Sequence, residues 1–493
     1  MKPEHKFDTK PLVGLAFMAA LAAGLYPFIY LYTSNHTLLL SWGQFGFLLL
    51  LFVALPILIF LCLALLTKKI AFFKDYYNRI LAVLNISFFL SLLVYCVYGF
   101  KKKILVLVLM LAVILGVLLY KHLKKIIKFQ FLLAGIGLFF LVPTVVSYFN
   151  YSNDWQKQPD HIESVIFKNT PNIYVIQPDG YIGLSEMGQG NYNKDNSDFN
   201  TFLLDNDFKL YPNFRSNYYS TLSSNSSMFS MKHHYYNRNL NVGSELLFAR
   251  DIIVSENPVL SILKNNGYRT SLILENSYLL TSRPKIGYDF STIDYSDLSV
   301  VSSGFDFKRD VLKDLKSQIK TNLSGKHFYF IERISPGHIT TYQSASEGAA
   351  LERQKYLDRL ADANSWLKDT VELINSNDAN ALIIIVADHG GFVGYDYSAQ
   401  SHIKPKNRAD TFSMFSSLLA IKWPDNSAMY NADIQTNVNL FRTVFSALSE
   451  DTSLLKNLES DASFLSVNEG APLGIYKVID KNNKAIFKAF ITD

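Results

Sequence analysis

The 493-residue chain has only two cysteines, Cys62 and Cys96, and both lie inside apolar runs. Its polar part has no thiol at all, which excludes a disulfide framework there and also a cysteine nucleophile. Charge is sparse as well: 18% of residues are charged and the formal net charge is +5. That balance does not point to a nucleic-acid partner. The clustered lysines lie between apolar stretches, where they report on membrane topology. Internal repeats and low-complexity tracts are absent, and after residue 150 long apolar runs disappear too. The remainder reads as an ordinary water-soluble protein.

What is present before residue 150 is a series of five apolar runs, near 11–32, 39–66, 79–99, 103–120 and 127–149. Each is long enough to cross a bilayer, which takes ~20 residues. The first is too long for a cleaved signal peptide and lacks its small-residue site. Residues 1–150 are therefore expected to be a five-helix transmembrane domain, integral to the cytoplasmic (inner) membrane. Lys2 and Lys10 precede the first run, Lys68, Lys69, Lys74 and Arg79 separate the second from the third, and Lys121, Lys124, Lys125 and Lys128 separate the fourth from the fifth. These three regions share one side, cytoplasmic by the positive-inside rule. The loop "TSNHT" carries no Lys or Arg and fits the opposite side, whereas Lys101, Lys102 and Lys103 run against the rule. The balance places the N-terminus in the cytoplasm. An odd number of spans then puts everything after residue 150 outside, in a periplasm or the open exterior.

Residues 151–170 are polar and aperiodic and read as a linker, leaving 171–493 as the outer domain. In "PNIYVIQPDGY" a short apolar run breaks at Pro178-Asp179-Gly180. "NPVLSILKNNGYRTSLILE" reads as helix, turn and strand, and "FYFIERIS" as a strand with a polar end. "RQKYLDRLADANSWLKDTVELINS" is a long amphipathic helix, and "ALIIIVADHGG" a wholly apolar strand ending in Asp388-His389. Such alternation predicts an α/β domain with a mostly parallel sheet covered by helices on both faces. Ligands bind at the carboxyl ends of strands in such sheets, and Asp179, Glu332 and Asp388-His389 all fall there. Two carboxylates and an imidazole suit a divalent cation, Zn²⁺ or Mn²⁺ rather than Ca²⁺. A hydroxyl next to such a cation is activated as a nucleophile. The hydroxyl-rich stretch "SNYYSTLSSNSSMFSM" at 216–231, which has the polarity of a loop, offers several.

In order, "PNIYVIQPDGY … SNYYSTLSSNSSMFSM … LKNNGYRT … ISPGHITTY … ADHGG … SH" resembles the alkaline phosphatase superfamily, and most of all its membrane-bound sulfatase-like branch of phosphoethanolamine transferases and lipoteichoic acid synthases. The resemblance implies five spans followed by an external catalytic domain. It also implies Thr221 as nucleophile, with Ser224, Met228 and Phe229 fixing its register in "TLSSNSSMFS". The implied metal ligands are Asp179 (often Glu in the transferases), Thr221, Asp388 and His389. His338 and His402 match histidines that contact the transferred group or a second metal in relatives. His233 and His234 match no motif and read as loop or surface residues. The chain also departs from the pattern. The two-metal phosphodiesterases have an Asp where Ile334 stands, so a second metal would need Glu332 as a substitute. The paired cysteines of the phosphoethanolamine transferases are missing, and the sulfatases that convert a cysteine to formylglycine are excluded outright.

The resemblance implies ping-pong transfer of a phosphoethanolamine- or phosphoglycerol-type head group from a membrane phospholipid, through phospho-Thr221, to an envelope glycan or lipid. His338 or His402 would bind phosphoryl oxygens or protonate the leaving group. Two alternatives stand beside it. One is a phosphodiesterase or sulfate-ester hydrolase on the same scaffold, with water as acceptor. The other is a catalytically inactive envelope-assembly protein, which would be expected to have lost part of the metal set.

Overall fold

Uninterrupted apolar sequence leaves the backbone to satisfy its own hydrogen bonds, and the N-terminal part does so in helices. A computed structural model describes residues 10–67, 70–238, 246–321, 324–424, 433–468 and 470–491. It divides into two units, Met1–Tyr151 and Ser152–Asp493. Four helical runs of the first unit are long and apolar enough to cross a membrane: Leu12–Ser34, Trp42–Leu66, Tyr77–Tyr98 and Lys102–Phe149. The last runs for 48 residues, about twice a single crossing. A 3₁₀ turn at Tyr120–His122 divides it into Lys102–Leu119 and Leu123–Phe149. The fourth and fifth expected spans thus meet in one helical run instead of being parted by a loop, because the intervening lysines are themselves good helix formers. Lys2, Lys68 and Lys69, on which the orientation partly rests, lie outside the described residues.

Small residues let these helices approach closely. Ala16, Ala19, Ala20, Ala22 and Ala23 of the first helix are buried, and a Cβ on Gly116 would meet the Val83 backbone at 2.5 Å. Asn85 and Gln130 exchange a reciprocal pair of amide hydrogen bonds of 2.9 and 3.0 Å, and Asn85 also donates to Ala19 O at 2.7 Å. This satisfies two buried amides that apolar surroundings would otherwise penalise.

The second unit is built on a seven-stranded sheet in the order β2-β7-β6-β1-β5-β3-β4. Its strands are β1 (Ile173–Pro178), β2 (Phe208–Leu210), β3 (Tyr268–Leu274), β4 (Phe290–Ser291), β5 (Lys326–Arg333), β6 (Leu382–Val386) and β7 (Leu419–Lys422). β6, β1, β5, β3 and β4 run parallel, while β7 and β2 add an antiparallel edge. Side chains alternate between two buried faces, as the two-residue period of a strand requires. Ile173, Val175, Phe328, Phe330, Leu382 and Ile384 pack with Met228, Phe229, Leu260, Leu263, Phe441 and Phe445 from helices on one face. Tyr174, Ile176, Tyr329, Ile331, Ile383 and Ile385 pack with Leu315, Leu360, Leu367 and Phe415 on the other. The expected α/β domain with both faces covered is thus the fold observed. A separate antiparallel sheet of β8 (Ser463–Ser466), β9 (Ile475–Ile479) and β10 (Ala485–Ala489) follows near the C-terminus.

Residues 151–170, expected as a linker, are held onto this unit. Ile162, Val165 and Phe167 are buried in its core, and Asp160 pairs with the buried Arg442 guanidinium at 2.6 Å. The apolar residues are too widely spaced among polar ones to show a period, but each finds a place in the core.

Candidate active site

β1 sits between β5 and β6, so the chain crosses to opposite sides of it and leaves a crevice at the carboxyl ends of β1 and β6. Such a switch point is where α/β sheets bind ligands. Asp179 follows β1, and Asp388-His389 lies one residue beyond β6. One ligand atom each from Asp179, Asp388 and His389 lie within 4.8 Å of one another, and all three residues are buried. Gly180 takes φ = +66°, and its backbone N–H donates to Asp388 Oδ1 at 3.1 Å. Asp388 Oδ2 is buried with no partner. His389 Nδ1 lies 2.8 Å from Gly390 O. Since a carbonyl only accepts, Nδ1 carries the proton and the lone pair of neutral imidazole is on Nε2. That atom stands 3.4 Å from Asp388 Oδ2 and 3.8 Å from Asp179 Oδ1.

Thr221 begins the helix Thr221–Ser230. Its Oγ1 donates to Asp179 Oδ1 at 3.0 Å and lies 3.3 Å from His389 Nε2. The hydroxyl therefore stands at the positive end of a ten-residue helix, a favourable place for anionic oxygens. The expected loop here is corrected: all ten residues of Thr221–Ser230 are buried in a helix. Small serines let that helix sit close to its neighbours, and some of their polar atoms are satisfied inside. Ser224 Oγ accepts from Asn437 Nδ2 at 3.0 Å.

A cavity of ≈270 Å³ opens over Thr221 and is lined by His389, His338, His402, Tyr219, Tyr236 and Phe392, among others. It brings His338 and His402 to the same space as Thr221. Arg359 holds the His338 loop by donating to Pro336 O at 2.7 Å and to His338 O at 3.0 Å. His338 Nδ1 donates to Ile339 O at 2.5 Å. Burial, followed by the charge of His389, pushes the His338 pKa down to about 4. The Tyr219 hydroxyl lies 3.4 Å from His402 Nδ1. Two walls of this cavity, Tyr219 and Phe392, escape sequence reasoning. Phe392 is buried, sits at φ = +62°, and turns its ring to His338, His389 and Tyr219 at centroid distances of 5.7, 5.6 and 6.3 Å. A larger cavity of ≈630 Å³ is lined by Glu275, Arg333 and Trp366. It is braced by Glu275 ion pairs to Lys308 and Arg333.

Electrostatically the site is short of positive charge. Burial and then the Asp388 charge push the Asp179 carboxyl up to about 7. Burial lowers His389, but the Asp388 and Asp179 charges outweigh it and raise it. Glu332, 1% exposed with both carboxylate oxygens unpartnered, is pushed well above the carboxylate range by burial and then by Asp179, Asp388 and Glu275. It stands beside the Asp179–Asp388–His389 group and is not part of it. Crowded carboxylates with an orphaned oxygen and an imidazole lone pair aimed among them fit a divalent cation.

His233 and His234 are not surface residues. They are 6% and 2% exposed, donate through Nε2 to the Ser460 and Ser223 carbonyls at 2.8 Å, and stack in an aromatic cluster with Tyr218 and Tyr235. Burial pushes the His234 pKa down to about 3.

Residues 212–450 match the family model described as sulfatase. The chain carries a sulfatase-family domain. That match, over just under half of the chain, supports an enzyme acting on phosphate or sulfate esters and is consistent with the alkaline phosphatase superfamily. The match takes in Thr221, His338, Asp388, His389 and His402, and begins after β1, so Asp179 reaches the sulfatase-family region through sheet pairing. Among solved structures, the integral membrane lipooligosaccharide phosphoethanolamine transferase A from Neisseria meningitidis is 15% identical with a TM-score of 0.40, covering 88% of this chain and 95% of its own. The C-terminal periplasmic domain of phosphoethanolamine transferase EptC from Campylobacter jejuni is 16% identical at 0.37, covering 60% and 93%. The corresponding EptC domain from Escherichia coli, in complex with Zn, is 12% identical at 0.40, covering 64% and 93%. A search of curated proteins gave no match.

The glycines of "ADHGG" give a test of how tightly the sulfatase-family site is packed. A Cβ on Gly391 would lie 2.1 Å from the Tyr356 ring, whose hydroxyl donates to Gly180 O at 2.9 Å. Gly391→Ala is expected to destabilise by about 1–3 kcal/mol through overpacking. Thermal unfolding checks this; an unchanged melting temperature would show that Tyr356 moves freely.

Proposed function

We propose that this protein is a membrane-anchored, metal-dependent transferase that moves a phosphoryl-linked head group, of phosphoethanolamine or phosphoglycerol type, from a phospholipid to an envelope glycan or lipid through phospho-Thr221. The observation that carries this reading is the Thr221 hydroxyl. It stands at a helix N-terminus on the cavity floor, 3.0 Å from Asp179 and 3.3 Å from His389. Asp179, Asp388, His389 and Thr221 would hold the cation, with Zn²⁺ or Mn²⁺ the best match to a donor set of oxygens and one imidazole nitrogen. Such a cation supplies Lewis acidity, lowering the hydroxyl pKa and offsetting charge on the phosphoryl oxygens.

In the first half-reaction Thr221 Oγ1 attacks phosphorus, the bond from phosphorus to the diacylglycerol oxygen breaks, and diacylglycerol leaves with a proton. In the second, an acceptor hydroxyl attacks phosphorus and gives up its proton, the bond from phosphorus to Thr221 Oγ1 breaks, and Oγ1 takes up a proton to restore the hydroxyl. Backbone N–H groups of the helix start face the phosphoryl oxygens. His338 is arranged for the second step: its Nδ1 proton is held by Ile339 O and its imidazole is neutral near pH 7, which leaves Nε2 to accept the incoming hydroxyl's proton. His402, beside Tyr219, binds the phosphoryl oxygens or protonates the leaving diacylglycerol oxygen. The transmembrane unit, with its N-terminus in the cytoplasm and the catalytic unit outside, tethers the enzyme to the membrane that contains its lipid donors.

Incubation with phospholipid labelled in the head group, followed by analysis of envelope glycans and lipids, tests the reading. Label is expected in an acceptor; label found only as free head-group phosphate would make the protein a hydrolase instead. His338→Ala is expected to slow transfer by about 10²–10⁴-fold while leaving the far-UV spectrum and metal content unchanged. Full transfer by this variant would remove His338 from the mechanism.

A further inference from the structure

Among the described residues of the second unit, six large apolar side chains are more than half exposed, and three of them border the catalytic cavity. Single apolar residues scattered over a surface are ordinary, but a group around one opening marks a contact. Phe305, Tyr342 and Ile403 are 56%, 69% and 56% exposed. Tyr342 follows Thr341 and Ile403 follows His402, and Thr341 and His402 both line the cavity. Their segments are tied together: Ser398 N donates to Thr340 O at 2.8 Å and Ala399 N to Thr341 O at 3.2 Å. Phe305 lies over a third lining residue, its ring stacked on that of Tyr278 at 5.5 Å and 25°.

The turn that carries Phe305 is built to hold it there. Ser302 Oγ donates to Asp306 Oδ2 at 2.5 Å and accepts from Gly304 N at 3.0 Å. Gly304 O in turn accepts from Ser277 N at 3.0 Å. Gly304 takes φ = +90°, and a Cβ there would meet Tyr278 Cα at 2.6 Å. Only glycine lets the turn seat this closely on the Tyr278 segment. Phe305 is therefore fixed at the mouth, with one ring face on Tyr278 and more than half of the residue open.

We propose that Phe305, Tyr342 and Ile403 form an acyl-chain subsite, which seats the diacylglycerol part of the donor while its phosphorus meets Thr221 and makes long-chain phospholipids better donors than their deacylated forms. The inference rests on the reading of the donor as a phospholipid. Size agrees with it. At ≈270 Å³ the cavity is smaller than the ~300–1,000 Å³ pockets that enclose drug-sized ligands. It takes a phosphoryl head group, and the acyl chains begin outside its mouth, where these three side chains stand. An acyl chain needs no hydrogen bonds there, only apolar area removed from water. Phe305 and Ile403 offer nothing else, and Tyr342 adds one hydroxyl at its tip, which suits the polar ester from which such a chain starts. A glycan acceptor would leave hydroxyls against Phe305 and Ile403 without partners.

The test uses the full chain in phosphatidylcholine nanodiscs doped with phosphatidylethanolamine that carries a diazirine near the ester end of one acyl chain. After irradiation, lipid adducts are expected on the peptides that hold Phe305, Tyr342 and Ile403. They should fall about fivefold or more in Phe305→Ser/Tyr342→Ser/Ile403→Ser. Ile166→Ser/Leu204→Ser, as exposed but bordering no part of the cavity, should change them by under about twofold. Both variants replace exposed side chains, so melting temperatures should barely move. In turnover, dioleoyl phosphatidylethanolamine or phosphatidylglycerol, whichever the protein uses, is compared with its deacylated form. The ratio of the two kcat/KM values should fall about tenfold in the triple variant, through KM for the long-chain donor. Adducts confined to the transmembrane unit, or rim adducts indifferent to the triple variant, would overturn the proposal. Rim segments that take no lipid adduct but gain hydrogen-exchange protection from soluble dextran would give the surface to a glycan and overturn it as well. Labelling needs no turnover. Failure of the unmodified protein to cleave either donor would therefore count against the transferase reading, while the adducts still decide the subsite.

Discussion

Thr221→Ala is expected to abolish turnover, by on the order of 10⁴-fold or more, because it removes the one hydroxyl that, among the described residues, donates to Asp179 and lies against His389. The fold should survive. Alanine is the best helix former, and the lost methyl and hydroxyl sit at the helix start against a cavity, so little packing is forfeited. Two readouts separate chemistry from stability. Steady-state turnover of a chromogenic phosphodiester should fall to background, and the intact mass after quenching with phospholipid donor should lack the phosphoryl adduct that the unmodified protein carries. Thr221→Ser keeps the hydroxyl but loses the methyl that restricts its rotamer. It should retain part of the activity and all of the adduct. An adduct persisting in Thr221→Ala would transfer the nucleophile to another residue, and Ser220 and Ser223, which line the same cavity, would be the next to examine.

The sheet was readable because its strands are buried on both faces. "IYVIQP", "FYFIER" and "LIIIV" are continuous apolar runs too short to be helices, and each breaks at a residue of the site. The antiparallel edge, β2 and β7, was not readable: three and four residues carry no period long enough to count. The same holds for the C-terminal sheet, whose strands of four and five residues mix serine or lysine with apolar and aromatic residues. The helix Thr221–Ser230 was misread as a loop for a different reason. Serine is polar by composition, yet its side chain is small. Packed against the helices Ala249–Val254 and Asn437–Ser449, it acts by its volume. The motif carried Thr221, Asp388, His389, His338 and His402 because each is chemically scarce at its place. Phe392 and Tyr219 were silent, since an aromatic wall is indistinguishable in sequence from core until its neighbours are known. His233 and His234 fell on the same blind spot from the other direction: two adjacent polar rings look exposed until the Tyr218 stack around them is seen.

The other large effect is expected at Asp388, and it separates metal binding from fold stability by sign. Asp388 is 1% exposed. One oxygen accepts from Gly180 N and the other has no partner, while Asp179 and Glu332 lie close enough for the Asp388 charge to raise both. Without a cation that arrangement is unfavourable, because like charges are buried together with incomplete hydrogen bonding. With one, the same carboxylates are ligands. The unmodified protein should therefore gain stability on adding Zn²⁺ or Mn²⁺, by about 2.7 kcal/mol at a hundredfold excess over Kd, and lose it on chelation. In Asp388→Asn the gain should nearly vanish and bound metal should drop well below one equivalent. The chelated variant should be no less stable than the chelated parent, since a buried charge has been removed while Gly180 N keeps an acceptor. Activity should fall with the metal. A melting temperature in the unmodified protein that ignores both metal and chelator would instead mean that Asp179, Asp388 and His389 form a purely internal hydrogen-bonded cluster. Thr221 would then lack the activation its role requires, and the inactive, envelope-assembly reading would gain the support that the intact residue set now denies it.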